Sequence, residues 1–152
     1  MSSPTDGPTG STRDVETIER ELRRLLTRAR SYAVDVARAV HPDLDPAVYS
    51  LLVEIAEHPP TRAVDLAEER GITKGVVSRQ VGTLERLGLI GREPDPTDAR
   101  AHILLPTAAG KRAVRRSQQA RRAAIERLLS GCTPDELAGM AAALSRFNEL
   151  ME

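Results

Sequence analysis

The sequence predicts a mainly α protein with a small β component (α+β), organised as a winged helix-turn-helix with long dimerisation helices at its N- and C-terminal ends. Three observations carry that prediction. Residues 61–105, TRAVDLAEERGITKGVVSRQVGTLERLGLIGREPDPTDARAHILL, read as two short helices joined by a glycine turn and followed by a charged β-hairpin. Apolar residues recur at helical spacing both before and after that block. Each of these segments also begins or ends at a residue whose local chemistry starts or stops a helix.

Met1 to Gly10 is rich in Ser, Pro, Thr and Gly, and residues 1–12 are expected to be a disordered tail. A long helix follows over 13–40, in which Val15, Ile18, Leu22, Leu25, Ala29, Ala33, Val36 and Val40 trace a buried stripe along about 40 Å. The lobe at 41–106 opens with Asp45-Pro46, an aspartate cap followed by a proline in the first turn. Val48, Leu51, Leu52 and Ile55 line the inner face of the helix so started, and His58-Pro59-Pro60 ends it.

The next helix, Arg62 to Arg70, carries Ala63, Leu66 and Ala67 on one side and Asp65, Glu68, Glu69 and Arg70 mostly on the other. Gly71 stops it, because glycine enters the left-handed conformation of a helix C-cap without steric cost. Thr73 caps the following helix, where Val77, Val81 and Leu84 share one buried stripe. Nearly opposite lie Gly75, Arg79, Gly82, Thr83 and Arg86. Two glycines cost an exposed helix about 1 kcal/mol each relative to alanine, which makes sense if another surface must approach closely.

The DNA major groove is such a surface: it admits one α-helix, whose N-terminal residues touch base edges while its partial positive end sits near phosphate. The residues in position are Thr73, Lys74, Gly75, Val76, Ser78 and Arg79. Arg79 is the candidate for reading guanine, since its guanidinium fork matches O6 and N7 together, and Val76 can meet a thymine methyl. Lys74 and Ser78 suit phosphates. The competing reading for each is a solvated helix face.

Leu87-Gly88 stops this helix, Leu89-Ile90 begins an extended segment, and His102-Ile103-Leu104-Leu105 returns antiparallel to it. Between them, Glu93 to Arg100 is expected to project as a loop, because its prolines and aspartates favour turns over pairing. A cation there can reach the minor groove, where narrow A·T tracts concentrate negative potential. Arg100 is the candidate, with Asp98 orienting it and Arg92 reaching the DNA backbone from the base of the hairpin. The alternative is an intramolecular pair of Arg100 with Asp98 or Asp95, of the weak kind common on exposed loops.

These residues resemble the multiple-antibiotic-resistance regulator (MarR) family of bacterial transcription factors. The resemblance rests on DLAEERGITKGVVSRQVGTLERLGLI, the D-x-R at Asp98 and Arg100, and the LPTAAG around Thr107, and it extends more loosely to the flanking helices. It implies a dimer that binds a pseudo-palindromic operator and releases it on binding a small ligand. It also implies a ligand pocket where the dimer helices meet the DNA-binding lobe, near Tyr32, Val36, His41, Leu51 and Ile55. Two departures stand out. The family's wing carries adjacent arginines after its aspartate, whereas Ala99 leaves only Arg100 here, and Pro94 and Pro96 stiffen the loop.

The segment 107–152 completes the helical ends. Thr107 opens an Arg- and Ala-rich helix to about Ser130, and Thr133-Pro134-Asp135-Glu136 has the pattern of a capping box. The last helix repeats Leu137, Met140, Ala141, Leu144, Phe147 and Met151. A winged helix needs only the middle of the chain, so the terminal helices must bury their apolar faces elsewhere, and a second copy is the simplest partner. A two-fold dimer also sets two recognition helices one or more DNA turns apart, matching an inverted repeat.

At 152 residues the chain has room for about one domain. Its 22 basic and 22 acidic residues cancel, but not evenly: residues 61–116 carry eleven bases against seven acids. A local basic face on a neutral body suits phosphate contact without indiscriminate sticking. No stretch of about 18 apolar residues and no signal-peptide pattern is present, so a cytoplasmic location with no membrane association is expected.

No enzyme is expected. The histidines His41, His58 and His102 are scattered, no nucleophile has an adjacent base, and neither a metal-ligand cluster nor a phosphate-cradling glycine loop occurs, so no cofactor is expected. Two other readings keep the fold: a winged helix that binds protein in place of double-stranded DNA, and a thiol-based redox regulator acting through Cys132. Lys74, Arg79 and Arg86 argue against the first. Cys132 reads more simply as a small residue filling a turn.

Overall fold

A computed structural model of the chain describes residues 12–98 and 100–151. Among the described residues, six helices and three strands run in the order α1 (Thr12–Val40), α2 (Pro46–Glu57), β1 (Thr61–Arg62), α3 (Ala63–Glu69), α4 (Lys74–Arg86), β2 (Ile90–Pro94), β3 (His102–Pro106), α5 (Ala108–Leu129) and α6 (Pro134–Glu149). Of the tail expected over residues 1–12, Thr12 already belongs to α1 and the rest lies outside the described residues.

The helix ends follow from local chemistry. Asp45 accepts the N–H of Val48 at 2.8 Å with Pro46 in the first turn of α2. Thr107 does the same for Gly110 at the start of α5, and Thr133 and Glu136 form a reciprocal capping box on α6. Gly71 and Gly88 adopt φ of +61° and +66°. Each ends its helix with a reach-back bond, Ile72 N–H to Ala67 O at 3.1 Å and Leu89 N–H to Leu84 O at 2.9 Å, the pattern of a Schellman motif.

The sheet has the order β1-β3-β2, with both pairings antiparallel. β1 was not expected: Thr61 and Arg62 pair with Leu104 and Ile103, so α3 begins at Ala63 and Arg62 is its cap residue. Glu93 and Pro94, placed in the projecting loop by the sequence, instead continue β2 opposite Ile103 and His102. Pro94 is tolerated there because it ends an edge strand, where no neighbour requires its N–H.

Leu51, Leu52 and Ile55 of α2, Leu66 of α3, Val77, Val81 and Leu84 of α4 and Leu104 of β3 form the fully enclosed core. It does not stop at the lobe boundaries, since Ala37 of α1 and Val114 of α5 join it. The stripe expected to be buried along α1 is not buried within one chain. None of its residues is enclosed: Val15, Ile18 and Leu25 are each more than half exposed, and the residue of α1 that is enclosed, Ala37, was not among those expected. α6 has no buried residue at all. No helix among the described residues is long and apolar enough to cross a membrane.

Candidate nucleic-acid interface

The extended backbone of Thr73 turns the chain into α4, and its Oγ1 accepts the N–H of Val76 at 3.4 Å. With Val77, Val81 and Leu84 locked into the core, the opposite face is forced outward. It presents Thr73, Lys74, Gly75, Ser78 and Arg79 exposed and Val76 half-buried. A Cβ on Gly75 would meet nothing nearer than Thr73 Oγ1 at 3.9 Å, and one on Gly82 nothing within 4 Å. The chain's own packing therefore requires neither glycine.

Ion pairing sorts the cations of the lobe into two groups. Arg62 is held by Asp95, Arg70 by Glu54 and Arg92 by Glu85. Among the described residues, Lys74, Arg79, Arg86 and Arg100 of the same lobe have no acidic partner. All four lie on α4 or on the loop that follows β2, and all four are exposed. Arg86 donates to Thr83 Oγ1 at 3.1 Å, a neutral contact that leaves its charge unopposed.

The hairpin differs from expectation at Arg92. Arg92 does not stand ready to reach a phosphate: Nε and Nη2 donate to the two carboxylate oxygens of Glu85 at 2.7 and 3.0 Å, because β2 leaves α4 with the two side chains facing each other. Asp98 acts on Arg100 through the backbone, accepting its N–H at 3.0 Å, and not through the guanidinium. Asp95, weighed only as a possible partner of Arg100, is committed to Arg62 and Thr97. Ala99, whose presence distinguishes this wing, lies outside the described residues.

Arg62, Asp95 and Thr97 form a cluster that the sequence did not disclose. Asp95 is buried. It accepts Arg62 Nε at 2.6 Å and both the N–H and the hydroxyl of Thr97 at 2.7 Å. Bonds from Thr97, reinforced by the Arg62 charge, lower its pKa to about 2 against some opposition from burial. The available signal was the Asp-x-Thr spacing, since aspartate side chains accept the N–H two residues on.

The five residues assigned to a ligand pocket do not line one together. Leu51 and Ile55 are fully enclosed, because their face of α2 packs against α4 and β3. Val36 is half-buried and Tyr32 exposed on α1, and His41 Nδ1 accepts the N–H of Asp43 at 3.1 Å in the turn that follows. A cleft of about 230 Å³ lies nearby, lined by Ala39, Val40, Ala113, Arg116, Ser117 and Ala120. Cys132 is half-buried in the turn between α5 and α6, where its N–H donates to Leu129 O at 3.0 Å.

Residues 43–101 match the model of a family described as the MarR family. The uncharacterised HTH-type transcriptional regulator YxaD of Bacillus subtilis (strain 168) is 32% identical over 135 residues, covering 89% of this chain and 93% of its own. Among solved structures, RV1404 of Mycobacterium tuberculosis superposes with a TM-score of 0.79 at 27% identity, over 96% of this chain and 97% of that one. FabT of Streptococcus pneumoniae, solved in complex with DNA, has the same fold with a TM-score of 0.79 at 21% identity, over 90% and 96% of the two chains.

Proposed function

The chain belongs to the MarR family of transcriptional regulators, and from that premise we propose that it is a homodimeric repressor which binds a pseudo-palindromic operator in double-stranded DNA and is released by a small-molecule effector. The observation that carries the DNA reading is the sorting of cations. A lobe that pairs Arg62, Arg70 and Arg92 internally leaves Lys74, Arg79, Arg86 and Arg100 without an acidic partner among the described residues, on one helix and one loop. In this reading the first turns of α4 enter the major groove, where Arg79 reads guanine, Val76 meets an apolar base edge, and Thr73, Lys74, Gly75 and Ser78 lie along the groove and its phosphates. Arg100 enters the flanking minor groove, with Asp98 shaping the backbone beneath it. FabT, of the same fold, has been crystallised on DNA, which supports this reading.

The dimer follows from apolar faces that one chain does not cover. Val15, Ile18 and Leu25 of α1 and Met140 and Leu144 of α6 are exposed. The arms 13–40 and 107–152 then pair with those of a second copy, and 41–106 acts as the DNA-binding lobe in the cytoplasm. The cleft beside Val40 and Arg116 sits at the junction of arms and lobe, where a bound effector would alter the spacing of the two recognition helices.

Selection of bound duplexes from a random pool tests binding, symmetry and spacing together. The expected product is an inverted repeat with half-sites one or more helical turns apart, roughly 34–36 Å per turn. A protein that prefers no duplex over heparin at ordinary ionic strength would overturn the proposal.

A further inference from the structure

We propose that Asp95, clasped by Arg62 and Thr97, is a positioning residue for the wing: it fixes the loop carrying Arg100 to the first helix of the helix-turn-helix and so sets the contact with the operator flank. This rests on the DNA reading above. The loop after β2 is closed by Asp95 N–H to Ala101 O at 3.0 Å and Ala101 N–H to Asp98 O at 2.9 Å. Pro96, Thr97, Asp98 and Arg100 are exposed, yet the Asp95 side chain is only 2% exposed. A carboxylate enclosed on an otherwise solvated loop persists only if its oxygens are bonded.

They are bonded fully. Arg62 approaches with Nε and Nη2, Thr97 supplies two more donors, and Arg62 Nη2 also donates to Thr97 Oγ1 at 2.9 Å. Arg62 and Glu93 both sit opposite Ile103, on the two sides of the central strand. The guanidinium therefore reaches across β3 to a carboxylate two residues beyond Glu93. Arg62 is also the cap residue of α3, so one side chain ties the wing to the helix that supports α4. With the Arg100 N–H held by Asp98 as well, the loop meets DNA already ordered, and binding forfeits less conformational freedom.

The test uses the duplex recovered by pool selection and a second duplex whose A·T flank steps are replaced by G·C. Asp95→Asn keeps the shape and one acceptor oxygen but turns an amide toward Arg62. It should weaken the first duplex by about three- to tenfold, the cost of ordering one or two side chains on binding. It should also reduce the preference for the native flank, while discrimination at central positions stays close to wild type and far-UV circular dichroism shows the lobe still folded at the assay temperature. Arg62→Lys, a cation without the fork, should fall between. If Asp95→Asn does not fold, Thr97→Val, which removes one donor and leaves the ion pair, should still reduce flank preference.

Unchanged flank preference in these variants, alongside a lost preference in Arg100→Ala, would overturn the clasp and leave the wing contact standing. Equal losses at centre and flank would also overturn it, since they mark a merely structural role. Flank indifference in Arg100→Ala itself would remove the wing contact, and this proposal with it.

Discussion

A Cβ built on Gly110 would lie 2.0 Å from the carbonyl oxygen of Leu89. The same carbonyl accepts the N–H of Thr107 at 3.0 Å, while the Thr107 hydroxyl donates to Gly88 O at 2.7 Å. The first turn of α5 is thus seated on the backbone between α4 and β2, and the atoms that would clash are backbone, which cannot swing aside as a side-chain end can. Gly110→Ala should lower stability by about 1–3 kcal/mol in denaturant unfolding, as overpacked cores do. Gly139, in exposed α6 with nothing within 4 Å of its Cβ position, provides the contrast. Gly139→Ala should be neutral or stabilising by up to about 1 kcal/mol. The reverse order would mean that α5 can lift from Leu89 without strain.

Arg79 and Lys74 are neighbours on α4 with different expected signatures. Arg79→Ala should cost about 1–3 kcal/mol on the operator and relax preference at one base position. Lys74→Ala should weaken operator and random duplex alike and reduce the salt slope by about one. Titrations of both duplexes at several salt concentrations separate the two effects. Equal losses on specific and random DNA for Arg79→Ala would contradict its reading role.

Glu85 holds the guanidinium that the sequence had assigned to a phosphate. Releasing it should add a contact if the surface proposed to face DNA does so: Glu85→Gln removes a carboxylate beside it and frees Arg92. Affinity for any duplex should rise at low salt, and the salt slope should steepen by about one. Arg92→Ala should change binding little in the wild-type protein and reverse the gain in the Glu85→Gln background. An unaltered slope would show that the Arg92 side chain does not reach the duplex even when free.

The parts of this molecule that were legible in advance are those decided within a few residues. Gly71 and Gly88 mark helix ends because their positive φ is a local need, and Thr73, Thr107 and Thr133 mark starts because each caps an N–H three residues on. What escaped depends on partners distant in the chain. The two-residue strand β1 is too short to show a period and exists only because β3 returns beside it. Arg92 looked like an available cation until the fold brought Glu85 to it, and Arg62 meets Asp95 only because β1 and β2 flank the same strand. Leu51 and Ile55 were correctly placed on the inner face of α2, but that face meets α4 and β3, leaving neither residue to line a pocket.

The clasp also carries a pH signature. The Asp95 pKa falls from its ordinary 3.8 to about 2 in the folded chain, through its bonds from Thr97 and then from Arg62. A carboxylate whose folded pKa is depressed contributes stability that is complete above the unfolded value and is lost as pH falls toward the folded one. The stability difference between wild type and Asp95→Asn should therefore be constant from neutrality down to about pH 5 and should shrink between about pH 4 and 2. Urea unfolding of both proteins across that range measures it. A difference that fades near neutrality would point to a group other than Asp95.

Leu25 of α1 and Leu144 of α6 line one apolar groove with Ile18, Leu22 and Phe147, and both leucines are more than half exposed in the single chain. Burying such a surface is the driving force available to a second copy, since it gains about 25 cal/mol for each Å² of apolar area removed from water. Leu25→Asp places a charge in that groove without touching the buried core, whose residues run from Ala37 to Val114. Sedimentation at micromolar concentration should show a dimer for the wild type and a monomer for Leu25→Asp, with the lobe still folded by circular dichroism. Operator affinity should then fall toward that of a half-site, because two recognition helices no longer bind as one unit. A wild-type monomer, or a Leu25→Asp dimer of unchanged affinity, would locate the covering of these faces elsewhere.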